Sequence, residues 1–416
     1  MAKGISENSG GGALHYKAKL AIDFLMNLRI ILILGALSAF GPLAIDFYLP
    51  GFSAMAAEFG TDENRIQNTL AAYFLGLSFG QLIYGPIADR FGRRLPLLVG
   101  VGVFTLASLG CALAPSLEAL VMLRFLQALG GCAGMVLSRA IVTDSCDTVG
   151  AAKVFSQLML VMGLAPILAP VLGGFLVNTT GWHSIFLVLT LFSACCGLAV
   201  YLGLPESLPA DRPRLPLSGA LTQYGRLLRE GRFVGHALTG GVAMAGMFAY
   251  IAGSPFVVIK LYGVPAEHFG WVFGANAAGF ILVAQVNARL LSRIGPQNLL
   301  RRMVWVYLAA AVVLLAVTAL QPAHLWPLLI PLFVCIASLG AIIPNASACA
   351  MAGQGPRAGS ASAMLGFLQF VIAAVSSSLV GALANGTAVP MSVVIAGCAA
   401  LSVAAALFTQ RLGDVR

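Results

Sequence analysis

Hydrophobic residues recur along the chain in runs of about 20, and short polar breaks separate one run from the next. A helix of about 20 residues crosses the roughly 30 Å hydrocarbon core of a bilayer. Backbone groups in lipid must bond internally, so each run predicts a transmembrane helix. The pattern predicts twelve of them, over residues 28–49, 66–86, 95–114, 117–138, 155–177, 183–203, 234–257, 269–291, 300–320, 325–349, 358–383 and 388–409.

Positive charge alternates between successive breaks and predicts an orientation. All but three of the 24 Lys and Arg fall on one side, the exceptions being Arg65, Lys260 and the intramembrane Arg124. Lys and Arg are enriched in the short cytoplasmic loops of membrane proteins. We therefore expect a multi-pass protein of a bacterial inner membrane with both termini in the cytoplasm. Residues 1–27 are then a cytoplasmic segment, and residues 411–416 are a cytoplasmic tail.

The longest polar break, residues 204–232, is rich in Pro and Arg and predicts a cytoplasmic linker. It separates two six-helix halves, residues 28–203 and 233–410. The halves echo each other, because residues 85–92 align with residues 288–295 at an offset of 203. Two such halves packed around a central cavity place a substrate site near the middle of the bilayer.

Composition narrows the possible functions. Hydrophobic residues make up 59% of the 416 residues and charged residues only 9%, whereas soluble domains carry about 25% charged residues. The net charge of +9 is spread over the loops, so we expect a lipid bilayer and no nucleic acid as partner. The eight cysteines lack metal-ligand spacing, and no GxxxxGK[ST] motif is present. We therefore expect no metal, no cofactor and no direct use of ATP. A membrane enzyme would need clustered His, Asp or Glu, but the five histidines fall at span ends or in loops.

The break between the second and third spans carries the motif GxxxDRxGRR. Its defined positions are Gly85, Asp89, Arg90, Gly92, Arg93 and Arg94. Glycine permits a tight turn and close approach of helices, and Asp89 can cap a helix end or pair with an arginine. Arg139 and Asp144, at the end of the fourth span, are candidates to join Asp89. The simpler alternatives are an ordinary basic loop and ordinary interfacial anchors.

Two charges lie well inside apolar runs, Asp46 in the first span and Arg124 in the fourth. A charge at this depth costs about 2.5–3.5 kcal/mol, so each needs a partner or a water-filled cavity. Burial favours a neutral carboxyl, whereas a nearby guanidinium favours the charged form. We expect Asp46 to exchange a proton for substrate, while Arg124 holds the empty carboxylate. The alternatives are a static ion pair that only fixes helix packing, and an Asp46 at the wet outer end of its helix.

The fifth span and several pocket candidates are expected to shape the transport path. Pro kinks a helix and Gly lets a neighbour pack closely. In the fifth span these residues are Gly163, Pro166, Pro170, Gly173 and Gly174; a purely structural kink is the alternative. Aromatic and Met side chains form adaptable binding surfaces, with a few polar groups that orient the ligand. The candidates for substrate contact are Tyr48, Gln127, Gln157, Met162, Phe248, Tyr250, Asn276 and Gln369.

These motifs resemble those of the major facilitator superfamily. The loop motif is similar to motif A, residues 123–131 to motif B, and residues 163–174 to motif C of drug/proton antiporters. With residues 42–50, 80–86 and 181–186, the chain looks like the Bcr/CflA family of bicyclomycin- and chloramphenicol-type resistance exporters. The resemblance covers nearly the whole chain.

The resemblance implies an all-α major facilitator fold and a proton-coupled exporter of small antibiotics that works by alternating access as a monomer. Motif A would then be a cytoplasmic gate latch. Two departures from the family bear on proton coupling: Thr143 replaces a common basic residue, and Ser38 stands where some relatives carry a second acid. The alternative function is proton-coupled export or import of a small metabolite with the same fold.

Overall fold

The computed structural model describes residues 29–145, 154, 158, 165, 168–208, 217–354 and 358–414, and their regular elements are helices. The helices before the predicted linker are α1 (Arg29–Glu58), α2 (Glu63–Phe91), α3 (Arg94–Ala112), α4 (Leu117–Ser145), α5 (Leu168–Thr180) and α6 (His183–Gly203). The later helices are α7 (Leu217–Leu228), α8 (Gly231–Leu261), α9 (Ala266–Ile294), α10 (Pro296–Ala319), α11 (Trp326–Met351), α12 (Ala358–Ala382) and α13 (Val389–Asp414).

Eleven helices in the described part of the chain are long and apolar enough to cross a membrane. The fifth predicted span, 155–177, is seen as helix at Leu158 and Ala165 and continuously over α5. Elsewhere the predicted and observed ends agree within five residues, except that α1 continues to Glu58 and α4 to Ser145. A polar residue marks where an apolar run leaves the lipid, but the helix itself continues into the loop.

Two helices are interrupted beside prolines at the end of the molecule that holds the α1–α2 loop. In α1, the 3₁₀ segment Leu49–Gly51 contains Pro50. In α8, the π-helical segment Phe256–Leu261 directly follows Pro255. Proline has no amide hydrogen for the helical ladder, so the backbone rearranges beside it. The Leu49–Gly51 segment packs on α8 and α9, which brings the two interruptions into one region.

The internal repeat predicted from sequence has a counterpart in the backbone. Gly92, between α2 and α3, has φ of 90°, and Gly295, between α9 and α10, has φ of 78°. These left-handed conformations favour glycine, which has no Cβ to clash. The two glycines are 203 residues apart, which is the offset of the repeat, and each joins two long helices through a tight turn.

The helices pack in two sets that meet along α2 and α12. In the first set, α4 contacts α1, α2 and α3, α3 contacts α6, and α5 packs on α1. In the second set, α8 contacts α11, α12 and α13, α10 contacts α11 and α13, and α9 contacts α11. Between the sets, α2 packs extensively on α12. The division into domains at the linker stays a prediction, because helix packing alone does not define where the domains end.

The predicted linker 204–232 contains a helix, α7, that the sequence does not predict. Its Tyr224 is buried, and the Tyr224 hydroxyl donates to the Leu82 carbonyl of α2 at 3.3 Å. The Ser360 hydroxyl of α12 donates to the Gln223 amide oxygen of α7 at 2.8 Å. The helix therefore forms because its apolar face packs on both sets, a condition that its Pro- and Arg-rich neighbourhood obscures.

Candidate functional site

Asp46 lies buried where the two sets of helices meet. It ends the α-helical segment Phe40–Asp46 of α1 and is 3% exposed. Its Oδ1 atom has no hydrogen-bond partner, and no basic side chain of the described residues forms an ion pair with it. Tyr73 of α2 and Tyr250 of α8 lie near enough to interact with it electrostatically. Asp46 is therefore not at a wet helix end, and its carboxyl can accept a proton or a cationic ligand.

Arg124 of α4 is fully buried but does not make the expected ion pair with Asp46. Its Nη2 donates to the Ala44 carbonyl of α1 at 2.9 Å, and its Nη1 donates to the Gln127 amide oxygen at 2.5 Å. Hydrogen bonds from a charged donor are stronger than those between neutral groups. Neutral acceptors therefore hold the guanidinium, and the Asp46 carboxyl is left without it.

Aromatic rings complete the surroundings of Arg124. The guanidinium carbon lies 4.2 Å from the ring centroids of both Tyr48 and Tyr73, and 5.8 Å from that of Phe186. A cation over a desolvated ring gains about 2 kcal/mol or more. The rings keep the charge buried without a carboxylate, which explains how Arg124 is tolerated away from Asp46.

Two expected substrate contacts, Tyr48 and Gln127, lie in the packing of the first set. The Tyr48 hydroxyl is 3.1 Å from the Thr69 hydroxyl of α2. The Gln127 amide nitrogen donates to the Ser108 hydroxyl of α3 at 2.7 Å. Both side chains are fully buried. Their polar groups link α1 with α2 and α4 with α3, and these groups are already hydrogen-bonded within the protein.

An aromatic cluster of Phe74, Phe248 and Phe370 joins the two sets. The ring centroid of Phe248 on α8 lies 4.1 Å from the ring centroid of Phe74 on α2. It lies 6.0 Å from the ring centroid of Phe370 on α12. All three side chains are buried. Of these, only Phe248 was expected from sequence, because the other two sit in runs of apolar residues with nothing to distinguish them.

Tyr250 and Asn276 form a polar pair beside Asp46. The Asn276 amide nitrogen of α9 donates to the Tyr250 hydroxyl at 3.1 Å, and the Tyr250 ring stacks on Phe273 at 5.4 Å. Because the hydroxyl accepts this bond, its own hydrogen is available to a further acceptor. The structure thus brings these two candidates together, and the candidate Gln369 on α12 is half-buried. The candidates Gln157 and Met162 lie outside the described residues.

The glycines of α5 allow two close approaches. A Cβ at Gly173 would overlap the Phe47 carbonyl oxygen of α1, and a Cβ at Gly174 would lie 2.6 Å from the Ala266 carbonyl oxygen of α9. Gly173 therefore serves packing within the first set, whereas Gly174 serves packing between the sets. Pro170 is buried in the same helix. The other residues expected from this motif, Gly163 and Pro166, lie outside the described residues.

Arg93 is the centre of the loop motif. Its Nε donates to Asp144 Oδ2 at 2.8 Å, and its Nη1 donates to Asp89 Oδ1 at 2.7 Å. The Arg93 side chain is only 7% exposed. Burial alone would lower the pKa of the guanidinium, but the hydrogen bonds to Asp144 and Asp89 raise the pKa above its ordinary value. The cluster ties the end of α4 to the loop between α2 and α3.

Glu206, just after α6, completes this cluster and was missed from sequence. Its carboxylate accepts the backbone N–H groups of Arg93 at 2.8 Å and Arg94 at 3.1 Å, which are at the start of α3. Burial would raise the pKa of Glu206, but these and two further backbone donors lower it below its ordinary value. A Cβ at Gly92 would lie 2.6 Å from the carboxylate, so glycine is needed there for space as well as for backbone conformation.

The remaining motif residues have looser surroundings. A Cβ at Gly85 would meet nothing within 4 Å, so no close helix approach is found at this glycine of the motif. Arg90 and Arg139 are exposed, and Arg139 forms no ion pair with a described acid. Arg94 Nη2 donates to the Tyr201 carbonyl of α6 at 2.5 Å. The ion pairs of the motif thus join Asp89, Arg93 and Asp144, and Arg139 is not among them. A role of this cluster as a gate latch stays a prediction.

Comparison with known proteins yields a family and a set of relatives. A family model described as Major Facilitator Superfamily matches residues 32–378. An uncharacterized MFS-type transporter, YdgK of Bacillus subtilis, is 39% identical over 91% of this chain and 92% of its own length. A bicyclomycin resistance protein homolog of Haemophilus influenzae is 32% identical over 91% of this chain and 95% of its own length. Multidrug resistance protein D of Escherichia coli is 29% identical over 85% of this chain and 88% of its own length.

Solved structures share the fold. The xylose transporter XylE from E. coli superposes with a TM-score of 0.71 at 14% identity, covering 92% of this chain and 97% of its own. A D-xylose-proton symporter superposes with a TM-score of 0.69 at 16% identity, covering 93% of this chain and 97% of its own. At these identities the likeness concerns architecture alone, and the all-α fold predicted from the sequence is confirmed.

Proposed function

Because the chain belongs to the Major Facilitator Superfamily and to its Bcr/CflA-like family, we propose that it is a proton-coupled exporter of small antibiotics. The family consists of multi-pass membrane transporters and not of enzymes. The names of the relatives, bicyclomycin resistance protein homolog and multidrug resistance protein D, support drugs of mixed structure as cargo. Transport proceeds by alternating access, with the termini cytoplasmic and the chain acting as a monomer.

The observation that carries the proposal is the unpaired carboxyl of Asp46. An ionised carboxylate buried without a partner is costly, so the carboxyl binds a proton or a positively charged group whenever the site is closed to water. Arg124, satisfied by Ala44 and Gln127, does not neutralise it by contact. The carboxyl therefore takes up and releases a proton in each cycle, and a cargo that binds beside it couples the two movements by favouring one protonation state.

The aromatic cluster supports a binding surface for flat, apolar drugs. Its rings come from α2, α8 and α12, so a molecule between them contacts both sets of helices. Aromatic rings supply large apolar contacts with little demand for exact hydrogen bonding, which suits cargo of mixed structure. The Tyr250–Asn276 pair supplies polar contacts near Asp46. A metabolite carrier would instead need a dedicated set of polar groups.

Proton coupling is tested with Asp46→Asn in proteoliposomes carrying an imposed pH gradient, with chloramphenicol and bicyclomycin as probes. The matched control is Glu118→Gln, which removes an exposed acid on the α3–α4 side of the molecule. We expect Asp46→Asn to lose gradient-driven drug accumulation while it retains drug–drug exchange, and Glu118→Gln to behave as the parent. Gradient-driven accumulation that survives in Asp46→Asn refutes the coupling role of Asp46. Failure of the parent to move either drug favours a metabolite as cargo.

A further inference from the structure

A second buried carboxylate, Glu63, lies where the two sets of helices meet on the side of the α1–α2 loop. We call this side the outer side; the charge pattern predicts that it is periplasmic. Glu63 begins α2 and is 4% exposed, although it lies outside the predicted span 66–86. The Ser53 hydroxyl of α1 donates to its Oε1 at 2.7 Å. Lys260 Nζ, in the π-helical end of α8, lies 3.8 Å from the same oxygen. The pair therefore joins the first set of helices to the second.

Glu63 depends on Lys260 for its counter-charge. No other basic side chain of the described residues lies within 4.0 Å of its carboxylate, and its Oε2 is buried without a hydrogen-bond partner. Ser53 belongs to the first set and stays with Glu63 when the sets separate. Opening the outer side therefore removes the one neighbouring cation, and a buried acid that loses its partner is strongly destabilised until water reaches it.

Other contacts join the two sets on the outer side. Asn178 at the end of α5 donates to Glu267 of α9 at 2.9 Å. A Cβ at Gly381 of α12 would lie 2.8 Å from the carbonyl oxygen of Asn64, the residue that follows Glu63 in α2. A void beside Asn64 has a volume of about 10 Å³ and is lined by Asn64, Gln67, Gly253, Phe256 and Val257, among others. A space of this size holds about one water molecule, so no drug fits through it.

We propose that Glu63 and Lys260 are the latch of the outer gate, which breaks and re-forms once in each transport cycle. The proposal rests on the transport function proposed above and adds two gating residues to it. The latch stabilises the state that is closed on the outer side, because Glu63 and Lys260 meet only there. The sharpest alternative is an ordinary surface ion pair with no role in opening.

The chain contains such an ordinary pair as a matched control. Arg65 Nη2 lies 3.5 Å from Glu118 Oε1, with both side chains more than half exposed. It joins α2 to α4, both in the first set, so it does not cross the gate. Arg65 is two residues from Glu63 along the chain. Loss of the Arg65–Glu118 pair therefore changes the local charge without releasing the second set of helices from the first.

The test measures opening directly. A cysteine introduced by Gln67→Cys, at a residue that lines the void and is 2% exposed, is labelled from outside with a membrane-impermeant thiol reagent. The parent without this cysteine gives the background, since Cys195 is exposed. Glu63→Gln is expected to speed labelling about fivefold, the effect of losing an ion pair with one exposed partner. Lys260→Met is expected to speed labelling by more than this, because it leaves the buried Glu63 carboxylate without a counter-charge. Arg65→Met should leave the rate unchanged.

A second measurement covers variants that fold poorly. Glu63→Cys and Lys260→Cys are combined and bridged by a short, reducible bifunctional thiol reagent. Bridging should stop drug exchange, and reduction should restore it; exchange that continues through the bridge overturns the proposal. The proposal is also overturned if Glu63→Gln and Lys260→Met are labelled no faster than Arg65→Met. Labelling needs neither a drug nor a proton gradient, so this result stands apart from the outcome of Asp46→Asn.

Discussion

Gly174 offers a direct test of how the outer side closes, because a single methyl group there should act as a wedge. An alanine Cβ would lie 2.6 Å from the Ala266 carbonyl oxygen, whereas ordinary contact begins at 3.4 Å. Backbone groups of α5 and α9 must therefore separate by about 0.8 Å, the difference between these distances. Neither group is a flexible side chain that could move aside, so the strain falls on the contact between the sets.

The strain has a defined size and a defined target. Overpacking by one methyl group costs about 1–3 kcal/mol. In the proposed gate the contact with Ala266 is lost when the outer side opens, so the cost falls on the closed state alone. A difference of this size shifts the balance between closed and open states by about fivefold to 150-fold. The shift should appear as faster labelling of the cysteine at position 67 from outside.

Two other glycines give the controls for Gly174→Ala. Gly102 of α3 is exposed and a Cβ there would meet nothing within 4 Å, so Gly102→Ala should leave labelling and thermal stability unchanged. Gly173→Ala would press on the Phe47 carbonyl within the first set, so it should lower the melting temperature without faster labelling. Labelling of Gly174→Ala at the parent rate would refute the view that this glycine sets outer closure.

Three further predictions follow from the site. Arg124→Lys keeps the charge but cannot reach both Ala44 and Gln127, so we expect a loss of about 1–3 kcal/mol in unfolding free energy; parental stability would contradict the role of the guanidinium. Phe248→Ala should weaken equilibrium binding of aromatic drugs, whereas Phe175→Ala, at a 62% exposed position, should not; equal affinities would argue against the aromatic cluster. The pKa of Glu206 is lowered from 4.5 in the folded protein, so the carboxylate contributes stability above pH 4.5 that is lost as the pH falls through the folded pKa. The melting temperature of the parent should therefore decline below pH 4.5 more steeply than that of Glu206→Gln, and parallel declines would contradict this origin.

The apolar runs by themselves were enough to predict the order and approximate ends of the eleven long apolar helices in the described part of the chain, whereas the number twelve stays a prediction. Each helix must form its own backbone hydrogen bonds in lipid and must cross the same thickness of hydrocarbon. The residues of a single segment therefore contain the information that predicts its helix. The tight turn at Gly92 and its counterpart at Gly295 were likewise visible as a repeated motif. The orientation of the termini, read from loop charge, stays a prediction.

The partners of the charged side chains required the tertiary structure. Asp46 and Arg124 stand out in the sequence as charges within apolar runs, and they are predicted to pair because each lacks a charged partner nearby along the chain. The structure shows instead that Arg124 is held by a carbonyl, an amide and aromatic rings, none of which carries a charge. Neutral acceptors of this kind are present at every turn of every helix, so no pattern in the sequence singles out the right ones.

Contacts between distant segments were also decided by packing alone. Glu206 caps α3 from 113 residues away, and Lys260 in the π-helical segment of α8 reaches Glu63 at the start of α2. Hydropathy reports how much each residue prefers lipid to water. It does not report which face of one helix meets which face of another, and that choice depends on the shapes of many side chains at once.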